Sequence, residues 1–224
     1  MSHLRIALAA ALAVTMGPAL ADGPDIEKVN GSITAEAGQQ YGSLSTVNGS
    51  IRLQAGAVVE DVETVNGSIR VAENATAESF ETVNGSIKIA PQVQVGGDVE
   101  TVNGSVFVDR GGRIGGDVET VNGAIGLVDT DLAGGIATVN GDITVGIGSH
   151  VHGGLTVEKQ NNTWLPISIS KRRPPRIVIG PDARVDGTLR FEREVKLYVH
   201  GSAVIGPVEG AIAVRYDGDR APRD

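Results

Sequence analysis

Val29-Asn30-Gly31-Ser32-Ile33 is the first of seven copies of one short motif. The others begin at Val47, Val65, Val83, Val102, Val121 and Val139, with successive spacings of 18, 18, 18, 19, 19 and 18 residues. A period this constant marks a repeat architecture. Each repeat is one unit that cannot bury its apolar side alone and must stack on its neighbours.

Other columns keep the same register. Three residues before the motif valine stand Leu44, Val62, Phe80, Val99, Val118 and Ile136. Two residues after the motif stand Ala35, Leu53, Val71, Ile89, Val108, Leu127 and Val145. A second glycine station recurs at Gly96-Gly97, Gly115-Gly116, Gly134-Gly135 and Gly153-Gly154. Each repeat therefore reads as short β-runs punctuated by glycine turns.

Two folds accommodate this pattern. In a hairpin array, each Asn-Gly is a two-residue turn, pairing Glu63 with Arg70 and Glu81 with Lys88. That arrangement puts Val65 and Ile69 on opposite faces. In a parallel β-solenoid, each repeat is one coil, and a corner at Asn-Gly can turn both valine and isoleucine inward. The near-identity of the copies favours coil-on-coil stacking. The expected fold is all-β, a single-domain parallel β-solenoid (β-helix) of about 9–10 coils with 18–20 residues per coil, a rod on the order of 45 Å long. Aromatic residues are only 3% of the chain. A narrow aliphatic interior needs few rings, whereas a globular core leans on them.

The corners are Asn30-Gly31, Asn48-Gly49, Asn66-Gly67, Asn84-Gly85, Asn103-Gly104, Asn122-Gly123 and Asn140-Gly141. Asparagine tolerates left-handed backbone angles and glycine adopts them freely, so the pair suits a tight corner. Stacked asparagines can also join their amides into a ladder. These residues are read as structural.

Residues 1–21 read as a signal peptide. Arg5 supplies the positive charge, Ile6 to Met16 the apolar stretch, and Ala19-Leu20-Ala21 a small-x-small cleavage site. A transmembrane anchor is the alternative, but Gly17-Pro18 interrupts the run and a span needs ~20 apolar residues. The expected location is periplasmic or secreted to the cell surface, with no membrane span after signal removal. The chain has no cysteine, so neither disulfides nor a thioether lipid anchor can form. Loss of Arg5 with the leader takes the formal charge from −8 to about −9. That acidity argues against nucleic acid as partner.

Residues 22–157 carry the repeats. Residues 158–176 break the register with Trp164, the chain's one tryptophan, and with Lys171, Arg172, Arg173 and Arg176 around Pro174-Pro175. This irregular excursion is either a covering loop or a contact site for a partner, since an aromatic beside arginines is common at interfaces. Coils resume over 177–210, where Ile177-Val178-Ile179 recurs 20 residues on as Leu197-Tyr198-Val199. A polar tail is expected over 211–224, disordered from Arg215 onward.

The run VIGPDARVDGTL (178–189) and the spaced GGDVETVNGSV units resemble the bactofilins, polymer-forming cytoskeletal solenoids. The leader combined with VNGSI coils is more similar to exported adhesin-like families of unknown function. The resemblance implies a β-solenoid and supplies no catalytic residues.

A search for chemistry finds little. The segment from Ile179 to Val185 resembles the hexapeptide acyltransferases, which depend on a histidine; the candidates are His150, His152 and His200. His150 and His152 share one strand face and could begin a metal site, but no third ligand is evident near them in sequence, so they read as a surface pair. Glu63, Glu81, Glu100 and Glu119 form one column whose regularity indicates a solvated stripe rather than the acid and base of a polysaccharide-cleaving enzyme. No cofactor or metal is expected. The functional expectation is a non-catalytic exported scaffold, adhesin or self-assembling solenoid. It would associate through its ends or with an envelope glycan or protein. The alternatives are a carbohydrate-active β-helix enzyme or a hexapeptide-type acyltransferase relative.

Overall fold

The computed structural model describes residues 23–159, 173–218 and 220–222. All regular elements among them are β-strands. They stack as three parallel sheets of ten, ten and seven strands, one strand per coil on each long face. The chain is thus a parallel β-solenoid of about ten coils.

The third repeat shows the path of one coil. Asp61–Asn66 lies in the first sheet and Ile69–Val71 in the second. Thr76–Ala77 lies in the third sheet. The next coil places Phe80 on Val62, Thr82 on Thr64, Asn84 on Asn66 and Ile87 on Ile69. Like residues stack on like, which rules out a hairpin array. The register survives the excursion: Ile143 pairs with Ile177, and Ile177 with Leu197. Residues 158–175 are therefore an insertion at the corner between the first and second sheets. Ordered structure also runs beyond residue 210. Ala213–Tyr216 forms the last strand of the second sheet, and Tyr216 is buried there.

Burial follows the strand period of two. Both apolar columns seen in the sequence are interior, and so is the motif isoleucine column from Ile33 to Ile143. The motif valine is not. Val29 is 63% exposed, Val47 and Val65 lie half-buried on the outer face, Val139 alone in the column is buried, and from the second corner on the inward place before the corner belongs to threonine. The reason is a hydrogen bond. At the corner the sheet ladder lapses, and the glycine carbonyl needs another donor. Thr46 Oγ1 donates to Gly31 O, Thr64 Oγ1 to Gly49 O, Thr82 Oγ1 to Gly67 O, Thr101 Oγ1 to Gly85 O and Thr120 Oγ1 to Gly104 O, at 2.8–3.1 Å. A buried carbonyl without a partner would be costly.

The corner glycines are needed for space more than for backbone angle. Of the seven, only Gly31 has a positive φ. A Cβ at Gly67, Gly85, Gly104, Gly123 or Gly141 would approach the carbonyl oxygen of the glycine one coil earlier to 1.8 Å. Left-handed residues fill another column, at the turn between the second and third sheets: Gly38, Gly56, Asn74, Gln92, Gly111, Asp129, Gly148 and Asp182, with φ from 45° to 70°.

Candidate functional site

The asparagine column forms a continuous ladder on the outer edge of the rod. Asn48 Nδ2 donates to Asn30 Oδ1, and the pattern repeats through Asn66, Asn84, Asn103, Asn122 and Asn140 at 3.0–3.1 Å. This order leaves the Asn140 oxygen without an amide donor, and Arg193 caps it. One Nη1 nitrogen donates to Asn140 Oδ1 at 2.7 Å and to Val139 O at 3.0 Å. Arg193 belongs to no repeat column, so no sequence signal marks this role. Beside the ladder, each serine Oγ accepts the N–H of the next coil, as in Ser50 N to Ser32 Oγ at 3.2 Å. Asp142 holds the same column and accepts the Arg176 N–H at 2.8 Å. The corner residues hydrogen-bond along the rod axis and to one another.

Trp164, Lys171 and Arg172 lie outside the described residues, as does the whole leader. Arg173 and Arg176 are engaged within the fold. Arg173 Nη2 pairs with Asp142 Oδ2 at 2.5 Å. The Arg176 guanidinium donates to Pro222 O at 2.9 Å and sits 5.1 Å from the Tyr198 ring centroid. Both arginines thus fasten the exit of the excursion and the C-terminal segment to the rod.

Glu63, Glu81, Glu100 and Glu119 do stack on the outer face, pair by pair. Glu63 is the most exposed of the four, and the others are half-buried; burial, then Asp61, raises even the Glu63 carboxyl above its ordinary value. Burial, followed by the neighbouring carboxylates Glu81, Asp98 and Asp117, pushes the Glu100 carboxyl up to about 7. Burial and then Glu100, Asp117 and Asp98 do the same to Glu119, also to about 7. One Glu119 oxygen is buried with no hydrogen-bond partner among the described residues.

The third sheet carries the densest cluster of chemically versatile side chains. Its outer columns bring Asp131, His150 and Arg184 into one file on successive coils. His152 and Asp186 stand two residues further along their strands. Two diagonal contacts cross between the files. His152 Nε2 lies 2.7 Å from Asp131 Oδ1, and His150 Nε2 lies 2.8 Å from Asp186 Oδ2. The imidazole centroids are 3.8 Å apart, with planes inclined by 31°. Hydrogen bonds from His150 and Arg184 hold the Asp186 carboxyl below its usual range. Asp131 and His152 also close one end of a shallow groove of about 750 Å³, which runs along this sheet from Tyr41 past Glu60, Glu78 and Arg113. The i, i+2 histidines were visible in sequence. Their carboxylate partners sit 21 and 36 residues away, and only the coil pitch and the insertion bring them together.

Comparison with known proteins found no matching family model, no similar curated protein and no matching solved structure.

Proposed function

We propose that this chain is a non-catalytic, exported solenoid of the cell envelope. It acts as a scaffold or adhesin-like module, and it self-associates through its N-terminal coil. The family reading as an exported adhesin-like or bactofilin-like protein belongs to the same proposal, and the parallel solenoid architecture is consistent with it.

The observation that carries the reading is the asymmetry of the rod's two ends. Among the described residues nothing pairs with the outer side of the first coil's five-residue strand Ile26–Asn30, where Val29 is 63% exposed and the solvent-exposed Asn30 amide begins the asparagine ladder. An open strand edge is a template for another strand. The other end is built differently. Its outermost strands in the first and third sheets are two residues long, and its longest edge is the four-residue strand Ala213–Tyr216 of the second sheet, with Val214 51% exposed. The ladder stops at Asn140 under the Arg193 cap. A head-to-tail filament would have to match dissimilar ends. A head-to-head pair needs one self-complementary surface.

Because the chain has no cysteine, single introduced thiols report proximity cleanly. Lys28→Cys should link chains in pairs with a short bis-maleimide, and Val214→Cys, at the opposite end, should not. Linkage at Val214→Cys alone, or at neither site, would overturn the N-terminal interface.

A further inference from the structure

We propose that Asp131, His150 and His152 bind a divalent transition-metal ion of the zinc class, with Asp186 orienting His150 from outside the coordination shell. The three residues offer ligand atoms that all lie within 4.8 Å of one another. A tetrahedral ion with bonds of about 2.0–2.2 Å holds its ligands roughly 3.3–3.5 Å apart. The 2.7 Å contact between His152 and Asp131 needs to open by less than an ångström to admit it.

The surroundings select the kind of ion. Arg113 and Arg184 occupy the rungs on either side of Asp131 and His150, so this is not an acidic patch that attracts any cation. Two imidazoles and one carboxylate suit zinc, cobalt, nickel or copper, whereas calcium requires an all-oxygen shell. Asp186 has the placement of an outer partner. Its Oδ2 contacts His150 Nε2 at 2.8 Å while its Oδ1 is held by Arg184 Nε at 2.5 Å. A carboxylate on the far nitrogen of a ligating histidine fixes its tautomer and ring orientation.

The site joins side chains from two consecutive coils, with the oriented carboxylate on a third. Bound metal would therefore clamp consecutive coils of the third sheet at the end of the groove that Asp131 and His152 line. None of these residues contributes to the core, so their variants should keep the fold.

The test uses the untagged protein after chelator treatment, with cobalt(II) and zinc(II) as probes. Cobalt should give saturable visible absorption at one equivalent, zinc should displace it, and zinc should raise the melting temperature. His150→Ala and His152→Ala should each weaken cobalt binding by more than tenfold with unchanged circular dichroism, and Asp186→Asn should weaken it by about tenfold. His200→Ala should leave binding intact. Absence of saturable binding, or binding that survives both His150→Ala and His152→Ala, would overturn the site. Displacement of cobalt by equimolar calcium would overturn the assignment of ion class.

Discussion

Two threonines in one column should respond in opposite ways to the same substitution. Thr101 is 1% exposed, and its hydroxyl donates to Gly85 O at 2.9 Å. Thr101→Val keeps the shape and removes the donor. An orphaned buried carbonyl costs about 1–3 kcal/mol, and the added methyl returns less than ~1 kcal/mol. The net loss is therefore about 1–2 kcal/mol. Thr138 is 0% exposed, and its hydroxyl has no partner among the described residues. The corner there differs from the others: its strand ends at Thr138, and Arg193 rather than the asparagine of a following coil bonds the Asn140 oxygen. Thr138→Val removes a buried unsatisfied hydroxyl and should be neutral or stabilising by about 1 kcal/mol. At roughly 2–4 °C per kcal/mol for a chain of this size, calorimetry should show Thr101→Val melting about 2–8 °C lower and Thr138→Val at or above the parent. Equal shifts in the same direction would refute the claim that threonine is selected to satisfy the corner carbonyl.

Other outcomes follow from the remaining columns. Gln92 has φ +62° in the left-handed column, so Gln92→Gly should stabilise by about 0.5–1 kcal/mol in urea unfolding. Glu100 and Glu119 are raised to about 7, so the folded state holds their protons more tightly than the unfolded chain does. Stability from this column is complete below the ordinary glutamate range near 4.5 and is lost as pH rises towards 7. Glu119→Gln should flatten that slope and raise the melting temperature at pH 8. Arg193→Ala should cost about 1–3 kcal/mol by uncapping Asn140 and Val139, and hydrogen exchange should localise the loss to the coils flanking the insertion.

The fold was legible because the repeat writes the same register seven times. Coil length, the isoleucine and pre-motif apolar columns, and the asparagine stack all follow from an 18–19-residue period. The motif valine misled because sequence shows that a residue recurs without showing which face it takes. Thr64 won the inward place through a hydrogen bond to Gly49 O that no propensity scale contains. The glycines were assigned to left-handed angles, whereas most serve the close approach of one coil to the next. The true left-handed column is spelled Gly, Asn, Gln or Asp, too varied to read as a motif. The His–Asp cluster was half legible. His150 and His152 share a strand, but Asp131 and Asp186 join them only through stacking, and Arg193 reaches Asn140 across 53 residues.

The central claim is that the rod ends differ and that the N-terminal coil mates with its own copy. Small-angle scattering of the purified protein across a concentration series tests it most directly. Ten coils at ~4.8 Å give a monomer rod of roughly 48 Å. The account predicts a concentration-dependent species of twice the mass and about twice that length, which Val29→Pro returns to the single rod. A strictly monomeric rod at all concentrations would contradict it, and so would filaments that grow without limit and persist in Val29→Pro.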